Sequence, residues 1–310
     1  MTGGWTRREA LTGIATFSGA LALGGIGLSR RAAAQGQALQ TLKITDNLSV
    51  ISGDGGNIGL LTGADGALVV DTGFKAQSDA LMRAIKDAAA APVQMVVNTH
   101  WHADHTDGNE PLGRAGARIL AHTNTRKRLS SDQVVEFLNM KSPASPKPAL
   151  PVVVFDTEMT LFWNEEEIHL THVPDAHTDT DIVLHFKNAN VVHAGDLLFN
   201  GFYPFIDYSS KGWIGGMVKG ADRILAMTDD RTKIIPGHGP MATRANVKEF
   251  RDMLATVQAR VEKAIRAGKS ADEVVAAKPT ADLDAKWGKG FLDPDKFTRL
   301  VYLTITRHKA

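Results

Sequence analysis

The 310-residue chain contains no cysteine. That absence excludes disulfides, thiolate nucleophiles, iron–sulfur clusters and cysteine-ligated zinc together, so any bound metal must be held by nitrogen and oxygen. Net charge is almost as scarce, at a formal +1. The first 34 residues hold Arg7, Arg8, Arg30 and Arg31 against Glu9 alone, so 35 basic less four and 34 acidic less one leave 31 against 33 in the remainder. That small acidic excess makes no case for nucleic acid or an anionic membrane as partner. Long apolar runs are missing too: the stretch 11–28 is barely long enough for a membrane span and too rich in glycine to be a good one. What remains is a chain 43% hydrophobic, enough for a large globular core in one domain or two.

The segment "TRREALTGIATFSGALALGGIGLSRRAAAQ" reads as an address. An arginine pair precedes the weakly apolar run, a second pair follows it, and Ala32 and Ala34 suit cleavage. It resembles a twin-arginine export signal, with Ala10 in place of the usual hydrophobic residue and Thr12 in place of the later lysine. The expectation is that residues 1–34 are removed and residues 35–310 reach the periplasm already folded and metal-loaded, with no stable membrane association. An uncleaved membrane anchor is the alternative.

Beyond it, "LKIT", "LSVIS", "NIGLLT" and "GALVVDTG" are short, turn-bounded apolar segments that predict strands joined mostly by hairpins. "SDALMRAIKDAAAA" has helical spacing, with Ser78 as its expected cap. The strand "VQMVVN" then leads into "NTHWHADHTDGN". After the Pro-rich connection "KSPASPKPALP", a loop or small lid, a second set of strands follows: "MTLFW", "EIHLTHV", "DIVLHF" and "NVVHAGD". A helix over "KGWIGGMVKGADRILAM", a strand over "TKIIPGHGP" and a helical extension from about Asn246 complete the pattern. Strands then helix, twice over, predict an α+β fold of two similar halves packed as a four-layer αββα sandwich.

Three of the eleven histidines sit within six residues, with Asp104 among them. His100 and His102, two apart in an extended segment, point the same way and can hold one ion, and Asp104 continues the alternation. His105 points elsewhere and can serve a second ion. Candidates at later strand ends are His177 in "PDAHTDTD", Asp196 in "HAGDLLF" and His238 in "PGHGP", each beside Gly, Pro or Ala where backbone can approach an ion. His169, His172, His185 and His193 lie within strand-like segments and read as structural. Residues 202–205, "FYPF", either wall a pocket or simply pack.

The ordered set HxHxDH, AHT, GD and PGHG, spanning about residues 41–245, resembles the metallo-β-lactamase superfamily of hydrolases. The resemblance implies a first zinc on His100, His102 and His177, a second on Asp104, His105 and His238, and Asp196 bridging both. It further implies that a hydroxide shared by the two ions is the nucleophile, that Asp104 orients it and helps move its proton, and that Asp71 in "VVDTG" accepts from a ligand histidine N–H. The implied substrate is a small molecule with an ester, lactone, thioester or lactam bond.

Departures separate the subfamilies. The β-lactamases with a histidine triad carry cysteine or serine where this chain has Asp196, and the cysteine type commonly has a lysine three residues on, here Phe199. Lys211 or Lys219 would have to substitute for that cation. A bridging aspartate resembles glyoxalase II and related esterases, while "GDGGNIGLL" and "VVHAGDLLFNGFYPFID" resemble the exported β-lactamase-like branch. Flavodiiron oxidoreductases place glutamate where His102 stands. The alternatives kept open are a metallo-β-lactamase proper and an exported, non-catalytic metal-binding protein.

Overall fold

The computed structural model describes residues 38–89 and 91–308, so the twin-arginine segment lies outside the described residues. Fourteen strands form two main sheets and one small ribbon among them. The first sheet runs β1 (Gln40–Lys43), β2 (Leu48–Ser52), β3 (Ile58–Leu61), β4 (Ala67–Val70), β5 (Val93–Val97), β6 (Arg118–His122) and β9 (Val153–Phe155). Its first four strands are antiparallel neighbours, whereas β4, β5, β6 and β9 are parallel. The second sheet is β10 (Glu158–Trp163), β11 (Glu166–His172), β12 (Ile182–Phe186), β13 (Val191–Phe199) and β14 (Lys233–His238), with only the β13/β14 pair parallel. The ribbon pairs β7 (Gln133–Val135) with β8 (Met140–Ser142).

Strand periodicity explains the layering. Leu48, Val50, Leu68, Val70, Val97 and Leu120 of the first sheet meet Ile168, Leu170, Leu184 and Ile235 of the second in a central core. Their alternate neighbours Ile51, Val69, Val96 and Ile119 face the other way, onto Leu81 and Ile85 of the Ser78–Ala88 helix. On the far side, Val183, Val192 and Ile234 pack under Met217 and Ile224 of the Ile214–Met227 helix and Phe250 and Leu254 of the Arg244–Arg266 helix. The inner strands of each sheet therefore bury both faces, and the fold is α+β in four layers.

Several boundaries differ from the sequence reading. Ser78 is the first helical residue rather than the cap, because a 3-10 turn at Lys75–Gln77 enters the helix directly and Gln77 occupies the cap position. The long C-terminal helix starts at Arg244, capped by Thr243, whose side chain and that of Asn246 exchange bonds with the backbone. Strands β6 and β9 and the ribbon, none of them anticipated, fill the stretch between the histidine cluster and the second sheet. Beyond it come Ala271–Ala276, Asp284–Trp287 and Pro294–His308, the last burying Phe297, Leu300, Val301 and Ile305 against the same cluster as Phe250. Among the described residues no helix is long and apolar enough to cross a membrane.

Candidate metal centre

Strands β4, β5, β13 and β14 deliver their carboxyl ends to one rim of the sandwich, the usual place for a site in sheets with parallel strands. Residue 71 follows β4, residues 98–105 follow β5, and His238 ends β14. Asp196 lies inside β13, where two register shifts around Gly195 interrupt the pairing with β14 and re-aim the side chain into the gap between the sheets. His177 comes from the loop between β11 and β12.

These loops bring all seven candidates into one buried cluster. His100, His102 and His177 form one set, Asp104, His105 and His238 another, and Asp196 joins His100 and His105, each set with ligand atoms within 4.8 Å of one another. Asp196 Oδ2 lies 3.3 Å from His177 Nε2 and 3.4 Å from His238 Nε2, and its Oδ1 lies 3.1 Å from His105 Nε2. Asp104 Oδ2 is 3.2 Å from His238 Nε2 and 3.6 Å from His105 Nε2. His169, His185 and His193 stand apart; the last is buried, with Nε2 against the Asn57 carbonyl at 3.2 Å. His172 stacks on His122 at 3.6 Å, also outside the cluster.

Four of the imidazoles are anchored on the ring nitrogen that faces away from the cluster. His105 Nδ1 donates to Asp71 Oδ2 at 2.8 Å, and His102 Nε2 donates to Asp207 Oδ2 at 3.0 Å. The Phe205 carbonyl accepts from His177 Nδ1 at 2.8 Å. Thr99 Oγ1, which gives its own proton to Asp71 at 2.7 Å, accepts from His100 Nδ1 at 3.1 Å. These partners fix each tautomer and turn the remaining lone pair inward. Asp71 accepts as the sequence reading expects, and it does so at φ 65, a left-handed conformation uncommon for aspartate and held by the backbone N–H of Thr99 on Oδ1. Asp207, the cap of the Tyr208–Ser210 turn, was not anticipated: "FIDYSS" carries a capping signal but no ligand motif. Thr99 and the Phe205 carbonyl were invisible for the same reason.

Does this cage suit a cation? His100 Nε2 and Asp196 Oδ1 are buried without a hydrogen-bond partner. His102 Nδ1 and His177 Nε2 face each other at 2.9 Å with both protons committed elsewhere. Two opposed lone pairs and an unpartnered imidazole nitrogen out of water are costly unless a cation sits among them. The donor set, imidazole and carboxylate only, suits zinc. Small residues make the space: a Cβ on Gly56 would lie 2.1 Å from the His105 ring, and one on Gly237 would lie 1.9 Å from Asp196 Oδ1.

The electrostatics divide the two sets. Burial drives His100 well below its ordinary value, reinforced by His105 and His177, and drives His177 down to about 4. Burial acts on His105 and His238 in the same sense, but the Asp196 and Asp104 carboxylates outweigh it, holding His105 well above its ordinary value and His238 at about 9. Asp104 is pulled down against burial by His105 and His238 to about 2, and Asp196 still lower than the usual carboxylate range. His100 and His177 are thus neutral and ready to ligate, while protons balance the carboxylates of the other set.

Aromatic rings border the cluster. Phe199 stacks on His238 at 5.2 Å, in the position where a gripping lysine was looked for, and Phe205 lies 6.0 Å from the rings of both His102 and His177. The "FYPF" stretch therefore divides: Phe205 borders the site, whereas Tyr203 is core, stacked on Phe297 at 4.2 Å. Lys211 and Lys219 are exposed, and the Lys219 ammonium lies over the Trp213 ring.

Among curated relatives, the chain is 26% identical over 209 residues to the bovine (Bos taurus) acyl-coenzyme A thioesterase MBLAC2, covering 60% of this chain and 74% of that protein. It is 27% identical over 149 residues to the hydroxyacylglutathione hydrolase of Pelagibacter ubique, covering 47% and 52%. A metallo-beta-lactamase from Pontibacter korlensis superposes with a TM-score of 0.58 at 17% identity over 70% of this chain and 99% of that one, a likeness of fold alone. The sequence profile of the metallo-beta-lactamase superfamily matches residues 51–249, a span that contains every residue of the cluster, and the chain belongs to that superfamily.

Proposed function

We propose that this protein is a dinuclear zinc hydrolase of acyl bonds, with thioesters and esters ahead of lactams. Membership of the superfamily together with a buried His/Asp cluster makes the chain a metal-dependent hydrolase of a small molecule. The observation that carries the finer reading is Asp196, whose two oxygens reach both histidine sets at 3.1–3.4 Å. A pair of zinc ions held there would supply Lewis acidity toward a carbonyl and a nucleophilic hydroxide near neutral pH.

The residues around that pair divide the remaining work. Asp196 keeps the two sets at a fixed separation. Asp104 is the more open of the two carboxylates, with its side chain 11% exposed against 4% for Asp196. It is ionised across the working range and is the carboxylate placed to take a proton inward or outward. Phe199 and Phe205 exclude water from the reacting carbonyl, which strengthens every charge interaction inside. Phe199 covering His238, with no lysine at that position, disfavours a substrate gripped by its carboxylate and so disfavours β-lactams. The similarity to a thioesterase and to a hydroxyacylglutathione hydrolase supports the same order. We further propose export through the twin-arginine route, testable by fractionating cells that carry Arg7→Lys with Arg8→Lys.

The direct test presents activated thioesters, esters, lactones and nitrocefin to the zinc-loaded protein. Acyl thioesters or esters turn over, chelation abolishes the activity, zinc restores it, and His102→Ala is inactive. Tight metal binding without turnover of any compound would instead favour the non-catalytic metal-binding protein.

A further inference from the structure

Three segments far apart in sequence bring aromatic rings together beside the cluster. Phe205, only 8% exposed, sits against His102 and His177. Its ring lies 6.3 Å from Phe137 and 6.5 Å from Phe291, the latter nearly perpendicular. Phe137 belongs to the Glu136–Leu138 turn that links β7 to β8, and Phe291 to the loop before the Pro294–His308 helix. Both are half-buried, unlike the fully buried core rings Tyr203, Phe250 and Phe297.

The turn that carries Phe137 is fixed in place. Arg307, from the last helix, is ion-paired with Glu136 and lies 4.3 Å over the Tyr208 ring. Ser209 Oγ accepts from the Glu136 N–H at 3.2 Å. Trp213 stacks on His308 at 4.1 Å. The ribbon and the C-terminal helix are thereby locked to the turn that carries Asp207, which itself orients His102. Charges nearby are cancelled in pairs: Arg307 by Glu136, and Arg128 by both oxygens of Asp179 at 2.5 and 2.8 Å. An aromatic cluster that begins beside the candidate ligand histidines and is edged by neutralised charges favours an apolar occupant over an anionic one.

We propose that Phe205, Phe137 and Phe291 form a binding file for the apolar tail of the substrate, so that the preferred substrates carry an extended alkyl or aryl group. This rests on the acyl-hydrolase reading and names the substrate class within it. The tail belongs either to the acyl group or to the leaving group; the chemistry that the rings recognise is the same.

Two matched series decide the matter on the zinc-loaded, full-length protein. One extends the acyl group from acetyl through butyryl, hexanoyl and octanoyl on a constant leaving group; the other extends the leaving group of acetyl esters. In at least one series kcat/KM rises by up to about fourfold per methylene until the file is filled. Phe291→Ala shrinks the octanoyl-to-acetyl ratio, or its counterpart in the other series, by about tenfold, and Phe291→Leu recovers part of it. Calorimetry adds a readout without turnover: octanoate or octanol binds more tightly than acetate or ethanol, with a negative heat-capacity change. Brisk acetyl turnover with no dependence on length in either series overturns this proposal and leaves the hydrolase standing. Absence of turnover throughout overturns the hydrolase reading itself.

Discussion

At the residue scale the cluster behaves as two half-sites of opposite proton affinity. His238, raised to about 9, must surrender a proton to ligate at any lower pH, whereas His177, lowered to about 4, carries none until the solution is distinctly acid. On stepwise acidification of the zinc-loaded protein, the ion of the Asp104, His105 and His238 set is therefore lost first, as metal analysis of dialysed samples will show; reversed order contradicts the assignment. The metal-free protein responds in the other sense. A raised histidine stabilises the fold fully below its ordinary 6.5 and ceases to do so as pH climbs through about 9, so the Tm of the metal-free form falls across that interval. A further prediction concerns Asp207. Asp207→Asn, which removes the negative charge facing His102 Nε2, weakens zinc affinity about 10–100-fold in chelator competition. The seven inward-facing residues were legible in the sequence because each stands in a short motif. Asp207, Thr99 and the Phe205 carbonyl were not, since their roles depend on how the loops fold together.

At the element scale, the site is built from strand ends, a bulge in β13 and the single-turn Ala103–Thr106 helix that carries Asp104 and His105. The loop 53–57 shows how little tolerance this leaves. Gly56 passes so close to His105 that Gly56→Ala must displace the imidazole, its Cβ falling 2.1 Å from the ring. The variant is expected to fold, to retain the ion of the His100 set and to bind the other at least about tenfold more weakly, read by metal titration. Undiminished affinity at both would contradict the geometry. Apolar alternation made β1–β5 and β10–β14 readable, and the 3.6-residue stripe of Phe250, Met253, Leu254, Val257 and Val261 revealed the long helix. Strands β6 and β9 escaped notice, the latter only three residues long and supported by its neighbours rather than by its own pattern. The ribbon is three residues a side and depends on Arg307 and Ser209 for its place.

At the scale of the whole molecule, the C-terminal extension is part of the hydrolase rather than an appendage. Phe297 stacks on Tyr203, Trp287 lies beside Phe250, and Phe291 reaches the rings next to the cluster. A chain ending at Gly268 would expose this apolar surface, so it is expected to be insoluble or to lose cooperative unfolding, and a soluble, active truncation would refute that integration. The sequence showed the extension's helical character but not its attachment, because periodicity reports that a face is apolar and not what it packs against. The central claim, that distant loops build a single cage for two cations around Asp196, is tested most directly by zinc content per chain in wild type and Asp196→Ala after exhaustive dialysis. The account predicts about two ions per wild-type chain and loss of at least one, with hydrolysis, in the variant; a wild type holding one ion or none, or a variant that keeps both, would contradict it.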